Sequence, residues 1–144
     1  MTHILGLMTC YNRKEKTVRA LKSLIQGNQT IQFSFIVVDD GSTDGTKEEL
    51  AKLPEVQIVS GSGSMFYSGG MRAAIKEAKK IQKDFDYCLL FNDDVDFWES
   101  SIENLCKKDS DIWGYRIHNC CNYIVLFFQI MKILPCRQPL RRFL

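Results

Sequence analysis

The 144 residues are 45% hydrophobic and 25% charged, with a formal net charge of +2, a composition typical of one ordinary globular domain. The small net charge gives no reason to expect a nucleic-acid partner. The longest apolar stretch, residues 123–134, is shorter than the roughly 20 residues that span a bilayer. The amino terminus has no signal-peptide pattern, so we expect the protein in the cytoplasm, including the inner face of the membrane.

Apolar runs alternate with amphipathic segments along residues 4–107. The predicted strands are residues 4–9, 33–38, 56–59 and 87–91, and the predicted helices are residues 13–26, 46–53, 71–81 and 99–107. We expect Asn12 to cap the first helix and Thr46 to open the second with a capping box. This βα alternation predicts an α/β fold with a mostly parallel sheet and helices on both faces. Ligands of such sheets bind beyond the carboxyl ends of the strands.

The fourth predicted strand ends in the acidic segment Asn92-Asp93-Asp94-Val95-Asp96. Carboxylates this close together repel one another unless solvent or a cation offsets them. Mg²⁺ and Mn²⁺ take oxygen ligands and often bind through one or two carboxylates plus substrate phosphates. The segment therefore predicts a metal-assisted diphosphate site, with a solvated acidic turn as the alternative.

Asp39 and Asp40 follow the second predicted strand in the same way. A carboxylate there is suited to accept hydrogen bonds from a base N–H group or from ribose hydroxyls. The alternative is that these acids only cap the next helix.

A loop rich in glycine and serine covers residues 60–70 and ends at Gly69 and Gly70, two residues before Arg72. Glycines let a backbone approach a ligand closely, and Arg72 is placed to neutralise phosphate charge. A mobile surface loop is the alternative. The loop has no P-loop pattern, and the first strand–helix turn has no G-x-G-x-x-G pattern.

Other chemistries find little support. Calcium-loop patterns beginning at Asp40 or Asn92 lack a required glycine or a final acid. No nucleophile pattern lies near His3 or His118. The six cysteines have no zinc spacing and indicate a reducing compartment without disulfides. A receiver-like phosphoacceptor domain and a sugar nucleotidylyltransferase both require a different first loop.

Four motifs in this order identify a family resemblance: residues 7–13, 37–46, 69–75 and 90–95. The second, VVDDGSTDGT, is the most specific. Over residues 3–112 the chain resembles the family 2 inverting glycosyltransferases of the GT-A fold, with bacterial rhamnosyltransferase-like members most similar. The resemblance implies a Rossmann-like domain that binds a nucleotide-diphosphate sugar.

The resemblance also implies site residues. The donor-binding set is Thr9, Tyr11, Asn12, Asp39, Asp40, Gly69, Gly70, Arg72 and Asp93. Thr9 and Tyr11 would line the base, and Asp40 would hydrogen-bond it, with Asp39 supporting the loop. Arg72 would lie near the base or diphosphate.

The resemblance places a DXD-type metal site at the fourth strand. Asp94 would bind Mg²⁺ or Mn²⁺, with Asp96 as a further candidate ligand and Asp93 nearer the ribose. The metal would offset the charge that develops on the leaving nucleoside diphosphate.

The implied activity is transfer of a sugar, with inversion, from a UDP, dTDP or GDP donor to an acceptor hydroxyl on a glycan or lipid-linked molecule. Synthesis of polysaccharide or cell-surface glycan is the expected context. The alternative is a non-catalytic module that binds a nucleotide sugar or a protein partner, and it predicts donor binding without product.

Composition changes abruptly near residue 113. Residues 1–113 contain 14 Lys and Arg against 17 Asp and Glu, whereas residues 114–144 contain 5 Lys and Arg and no acid. The resemblance implies an acidic general base in a later acceptor half, and no candidate follows Asp111. We therefore expect a donor-binding domain over residues 1–113 and an atypical tail over 114–144 that a frameshift or truncation would explain, with a naturally divergent short protein as the alternative.

Overall fold

The computed structural model describes residues 1–81, 85–107 and 134–135. Its elements are β1 (Thr2–Cys10), α1 (Lys14–Gly27), β2 (Ile31–Asp39), α2 (Thr46–Leu50), β3 (Val56–Ser60), α3 (Phe66–Ala78), β4 (Tyr87–Leu90), α4 (Ser101–Lys107) and β5 (Leu134–Pro135). Among the helices in the described part of the chain, none has the length and apolar character of a membrane-crossing segment.

The strands form one sheet in the order β3-β2-β1-β4-β5. β1 pairs in parallel with β2 and β4, and β2 pairs in parallel with β3. The two-residue β5 pairs antiparallel with β4. The predicted α/β fold with a mostly parallel sheet is confirmed.

Alternate residues of β1 and β2 enter two separate hydrophobic clusters, because successive side chains of a strand point to opposite faces. Ile4 and Met8 of β1 belong to the cluster that includes residues of α1, α2 and α4. Leu5 and Leu7 belong to the cluster that includes α3. The central strands are therefore covered on both faces, as their nearly continuous apolar sequences predict.

Three details of the predicted elements are wrong. Arg13, not Asn12, is the N-cap residue of α1, and it forms no side-chain cap hydrogen bond. α2 ends at Leu50 and not at residue 53. Its N-cap residue is Gly45, in the left-handed conformation, and not Thr46, so the predicted capping box does not form. α3 begins at Phe66, so Gly69 and Gly70 lie inside a helix and not in a loop.

Asn28 joins the end of α1 to the start of α4. Its side chain is fully buried. The amide nitrogen donates to the carbonyl of Leu24 at 3.0 Å, and the amide oxygen accepts from the backbone N–H groups of Ile102 and Glu103 at 2.9 and 3.3 Å. One side chain thus satisfies backbone groups at two helix ends that would otherwise lack partners, and it anchors the segment that follows β4.

Candidate functional site

The carboxyl ends of β2, β1 and β4 lie next to one another at one edge of the sheet, since the three strands are parallel neighbours. Asp39 and Asp40 follow at one side, and residues 92–96 follow at the other. Cys10, at the end of β1, lies close to both segments: burial, followed by the negative charges of Asp39 and Asp93, raises the pKa of its thiol to about 12. The two predicted acidic segments therefore flank one strand end.

The β1–α1 loop is tied to the loop after β2. The backbone N–H of Asn12 donates to Ser42 Oγ at 2.9 Å, and Asn12 Oδ1 accepts from the backbone N–H of Thr43 at 2.7 Å. Asn12 has φ of 50°, a left-handed conformation that asparagine adopts more readily than most residues. The N–H of Lys14, the first residue of α1, donates to Asp44 Oδ2 at 2.9 Å.

On its other side the same loop reaches the segment after β4. Arg13 Nη1 lies 3.1 Å from Asp93 Oδ1 and 3.6 Å from Asp94 Oδ2. The side chain of Asp93 is 10% exposed, whereas those of Arg13 and Asp94 are each 48% exposed. Burial raises the pKa of Asp93, the Arg13 guanidinium opposes that shift, and the neighbouring Asp94 carboxylate adds to it.

Asp40 is 5% exposed, and its carboxylate holds the loop that leads into α3. Oδ1 accepts from the backbone N–H of Gly63 at 2.8 Å, and Oδ2 accepts from those of Met65 and Phe66 at 2.8 and 3.1 Å. A Cβ on Gly61 would lie 2.5 Å from Asp40 Oδ1, so a glycine is required for this close approach.

Asp39 is also buried but has fewer hydrogen bonds. Its Oδ1 accepts from the backbone N–H of Ser42 at 3.1 Å, and among the described residues no partner is found for Oδ2. Asp39 thus supports the loop that follows β2, whereas Asp40 holds the loop that leads into α3.

The remaining residues of the predicted donor-binding set surround the end of β1 and the start of α3. Thr9 Oγ1 donates to the carbonyl of Val38 at 3.2 Å. A Cβ on Gly70 would lie 2.2 Å from Thr9 Oγ1, so Gly70 lets α3 pack directly on β1. Tyr11 is exposed. Gly69 and Arg72 lie in the first two turns of α3, and Arg72 is exposed and forms no ion pair with another described residue.

Asp96 lies apart from the Asp93–Asp94 pair in its contacts. Its Oδ1 accepts from Arg19 Nε of α1 at 2.8 Å. Within residues 1–81 and 85–107, no group of three or more His, Cys, Asp or Glu side chains is arranged to hold a metal alone. The Asp93–Asp94 pair nevertheless fits a hard cation that takes only one or two carboxylates and completes its shell with phosphate and water oxygens, and Asp94 is accessible to it.

Sequence reasoning missed two residues of this edge, Arg13 and Asp44. Arg13 stands directly after Asn12 in the first motif, at a strand end that two acidic segments flank. A positively charged residue between two acidic segments could have indicated that Arg13 pairs with one of them. Asp44 lies in the loop after Asp39 and Asp40, and its carboxylate holds the first residue of α1, a contact 30 positions away that no local pattern indicates.

Comparison with known proteins shows which family and which solved structures this chain resembles. A family model described as glycosyl transferase family 2 matches residues 7–117. Residues 1–349 of S. aureus TarS match with a TM-score of 0.57 and 20% identity, over 74% of this chain and 32% of that one. A search of curated protein sequences finds no significant match.

Two further solved structures have similar folds. The mannosyltransferase PcManGT from Pyrobaculum calidifontis, in complex with GDP-Man and Mn²⁺, matches with a TM-score of 0.60 and 15% identity, over 76% of this chain and 33% of that one. The galactosyltransferase LgtC, in complex with donor and acceptor sugar analogues, matches with a TM-score of 0.53 and 18% identity, over 76% and 44% of the two chains. This chain spans a third to less than half of these proteins.

The parallel sheet and its helices therefore define an α/β domain of the GT-A glycosyltransferase type. The family match covers well over half of the sequence and includes all four motifs. The chain belongs to glycosyl transferase family 2.

Proposed function

We propose that this chain is the donor-binding half of a glycosyltransferase, and that it binds a nucleotide-diphosphate sugar at the carboxyl edge of β1, β2 and β4. The observation that carries the proposal is the β1–α1 loop, which contacts the acidic loops after both β2 and β4. A nucleotide needs both sides of such a cleft, because its base and its diphosphate lie at opposite ends. TarS has been solved with UDP-GlcNAc and with UDP, which supports a donor of this class.

Within this cleft we assign the base or ribose contact to Asp39 in preference to Asp40. All three backbone amides at the start of α3 are held by Asp40, so a base that bonded to Asp40 would compete with them. The second oxygen of Asp39 has no such competitor among the described residues. Thr9 and Tyr11, at the end of β1 between the two acidic loops, are the proposed neighbours of the base.

We propose that Asp94 binds a divalent cation together with the diphosphate, and that Asp93 lies behind it toward the ribose. The accessible carboxylate of Asp94 and the buried one of Asp93 suit these two roles. A bound Mg²⁺ or Mn²⁺ would neutralise charge on the departing nucleoside diphosphate. Manganese in the complex of PcManGT with GDP-Man is consistent with this assignment. Arg72, an exposed cation in the second turn of α3, is the proposed partner of the phosphates.

Calorimetric titration with UDP, dTDP and GDP, each with Mn²⁺, tests the donor site. We expect one of the three to bind best, and Asp94→Ala to weaken it by about tenfold or more, since even the loss of a group that only orients a metal ligand costs about 10- to 100-fold. Asp96→Ala is the matched control, because Asp96 already pairs with Arg19, and it should leave the Kd unchanged. Equal affinity in wild type and Asp94→Ala would remove Asp94 as the ligand.

A further inference from the structure

Arg13 places one nitrogen between the two carboxylates of the proposed cation site. Nη1 is 3.1 Å from Asp93 Oδ1, within hydrogen-bond distance, and 3.6 Å from Asp94 Oδ2. Asp93 is nearly buried, and a buried carboxylate without a positive partner is costly. The guanidinium therefore supplies the positive charge that offsets these two carboxylates when no cation is bound.

Arg19 provides a natural comparison, because it lies in the second turn of α1 and also reaches the segment after β4. It pairs only with Asp96, at 2.8 Å, and both side chains are more than half exposed. That contact is an ordinary surface ion pair, which contributes little. Arg13 differs because it contacts two acids, one of them buried, and because those two acids are the ones proposed to face the diphosphate.

We propose that Arg13 is a resident counter-ion of the Asp93–Asp94 pair and competes with the divalent cation for it. This inference rests on the proposed function. A divalent cation and a guanidinium cannot share the oxygen of Asp94 without strong repulsion. Arg13 is half exposed, so its side chain has room to leave the pair when a cation arrives. Arg13 thereby lowers affinity for the free metal and keeps the acids paired when the site holds no cation.

The test is Mn²⁺ alone, titrated into the full chain and followed by the electron paramagnetic resonance signal of free Mn²⁺. Arg13→Gln should bind Mn²⁺ about three- to tenfold more tightly than wild type, the effect expected for removing an ion pair that is partly buried. Arg13→Lys should fall between the two, since a lysine keeps the charge but presents a single ammonium group. Arg19→Gln is the matched control and should change the affinity by less than about twofold.

Asp94→Asn separates failure of this inference from failure of the site. If Asp94→Asn abolishes Mn²⁺ binding while Arg13→Gln leaves it equal to or weaker than wild type, the counter-ion role is wrong and the metal site stands. If neither substitution changes the binding, or if no variant binds Mn²⁺, the metal site itself is wrong, and the inference falls with it. Near-ultraviolet circular dichroism of each variant confirms that the fold is retained.

Discussion

Asp44 shows how one side chain at the sheet edge supports two elements. Its Oδ2 accepts from the backbone N–H of Lys14, and its Oδ1 accepts from the backbone N–H and the hydroxyl of Thr46. It therefore fixes the start of α1 and the start of α2 together. Carboxylates are favourable at the N-terminus of a helix, where the backbone N–H groups lack partners.

Because of these hydrogen bonds, the ionisation of Asp44 makes the stability of the protein depend on pH. The hydrogen bond from Thr46, followed by that from Lys14, lowers the pKa of Asp44 below its ordinary value of 3.8. A carboxyl group with a lowered folded pKa stabilises the protein above its unfolded pKa, and this contribution is lost as the pH falls through the folded value. Stability should thus decline on acidification below about pH 4.

Urea unfolding of wild type and Asp44→Asn at several pH values measures this contribution. We expect Asp44→Asn to be less stable at neutral pH and to lose less stability on acidification, because it has no carboxylate to protonate. Asp96→Asn, which also removes a carboxyl group but disrupts only an exposed ion pair with Arg19, serves as the comparison. Parallel acid profiles for wild type and Asp44→Asn would contradict the role of Asp44.

At the scale of elements, the Asn28 side chain connects α1 with α4. Replacing it with alanine would leave the carbonyl of Leu24 and the N–H groups of Ile102 and Glu103 without these partners. Buried polar groups that lose their partners cost about 1–3 kcal/mol each, and solvent entry reduces the total. We expect Asn28→Ala to lower the free energy of unfolding by roughly 2–3 kcal/mol.

Chemical denaturation of Asn28→Ala measures this change in the free energy of unfolding. The control is Gln29→Ala at the exposed neighbouring position, which should stay within about 0.5 kcal/mol of wild type. A loss as small as that of the control would show that the two helix ends do not depend on this amide.

Strands β1 to β4 were predictable within one or two residues because each contains an apolar run, and the runs of β1 and β2 are buried on both faces of the sheet. The start of α3 could not be predicted in the same way. Residues 60–70 are rich in glycine and serine, which favours a loop locally, yet the helix begins at Phe66 because Asp40 accepts the N–H groups of Met65 and Phe66. That contact joins residues 25 and 26 positions apart, so no local pattern could reveal it.

At the scale of the whole molecule, parallel topology made the location of the site predictable. Once the order βαβαβαβα is recognised, the polar segments after each strand must lie at the same edge. The partners of individual side chains did not follow from that argument. The choice between Asp39 and Asp40 depends on where the α3 loop lies, and the pairing of Arg13 with Asp93 depends on the sheet order that puts β1 next to β4. Residues 114–133 and 136–144, with most of the predicted tail, lie outside the described residues, and the proposed boundary at residue 113 stays a prediction.

The central claim is that the acidic loops after β2 and β4 form one donor cleft across the end of β1. Amide chemical shifts of the ¹⁵N-labelled protein, recorded during titration with Mg²⁺ and the best-binding nucleoside diphosphate, test it most directly. We predict that the largest changes fall together in residues 9–13, 39–42 and 92–94. Changes confined to one of these segments, or centred on the opposite edge of the sheet near residues 28–31 and 53–56, would contradict the claim.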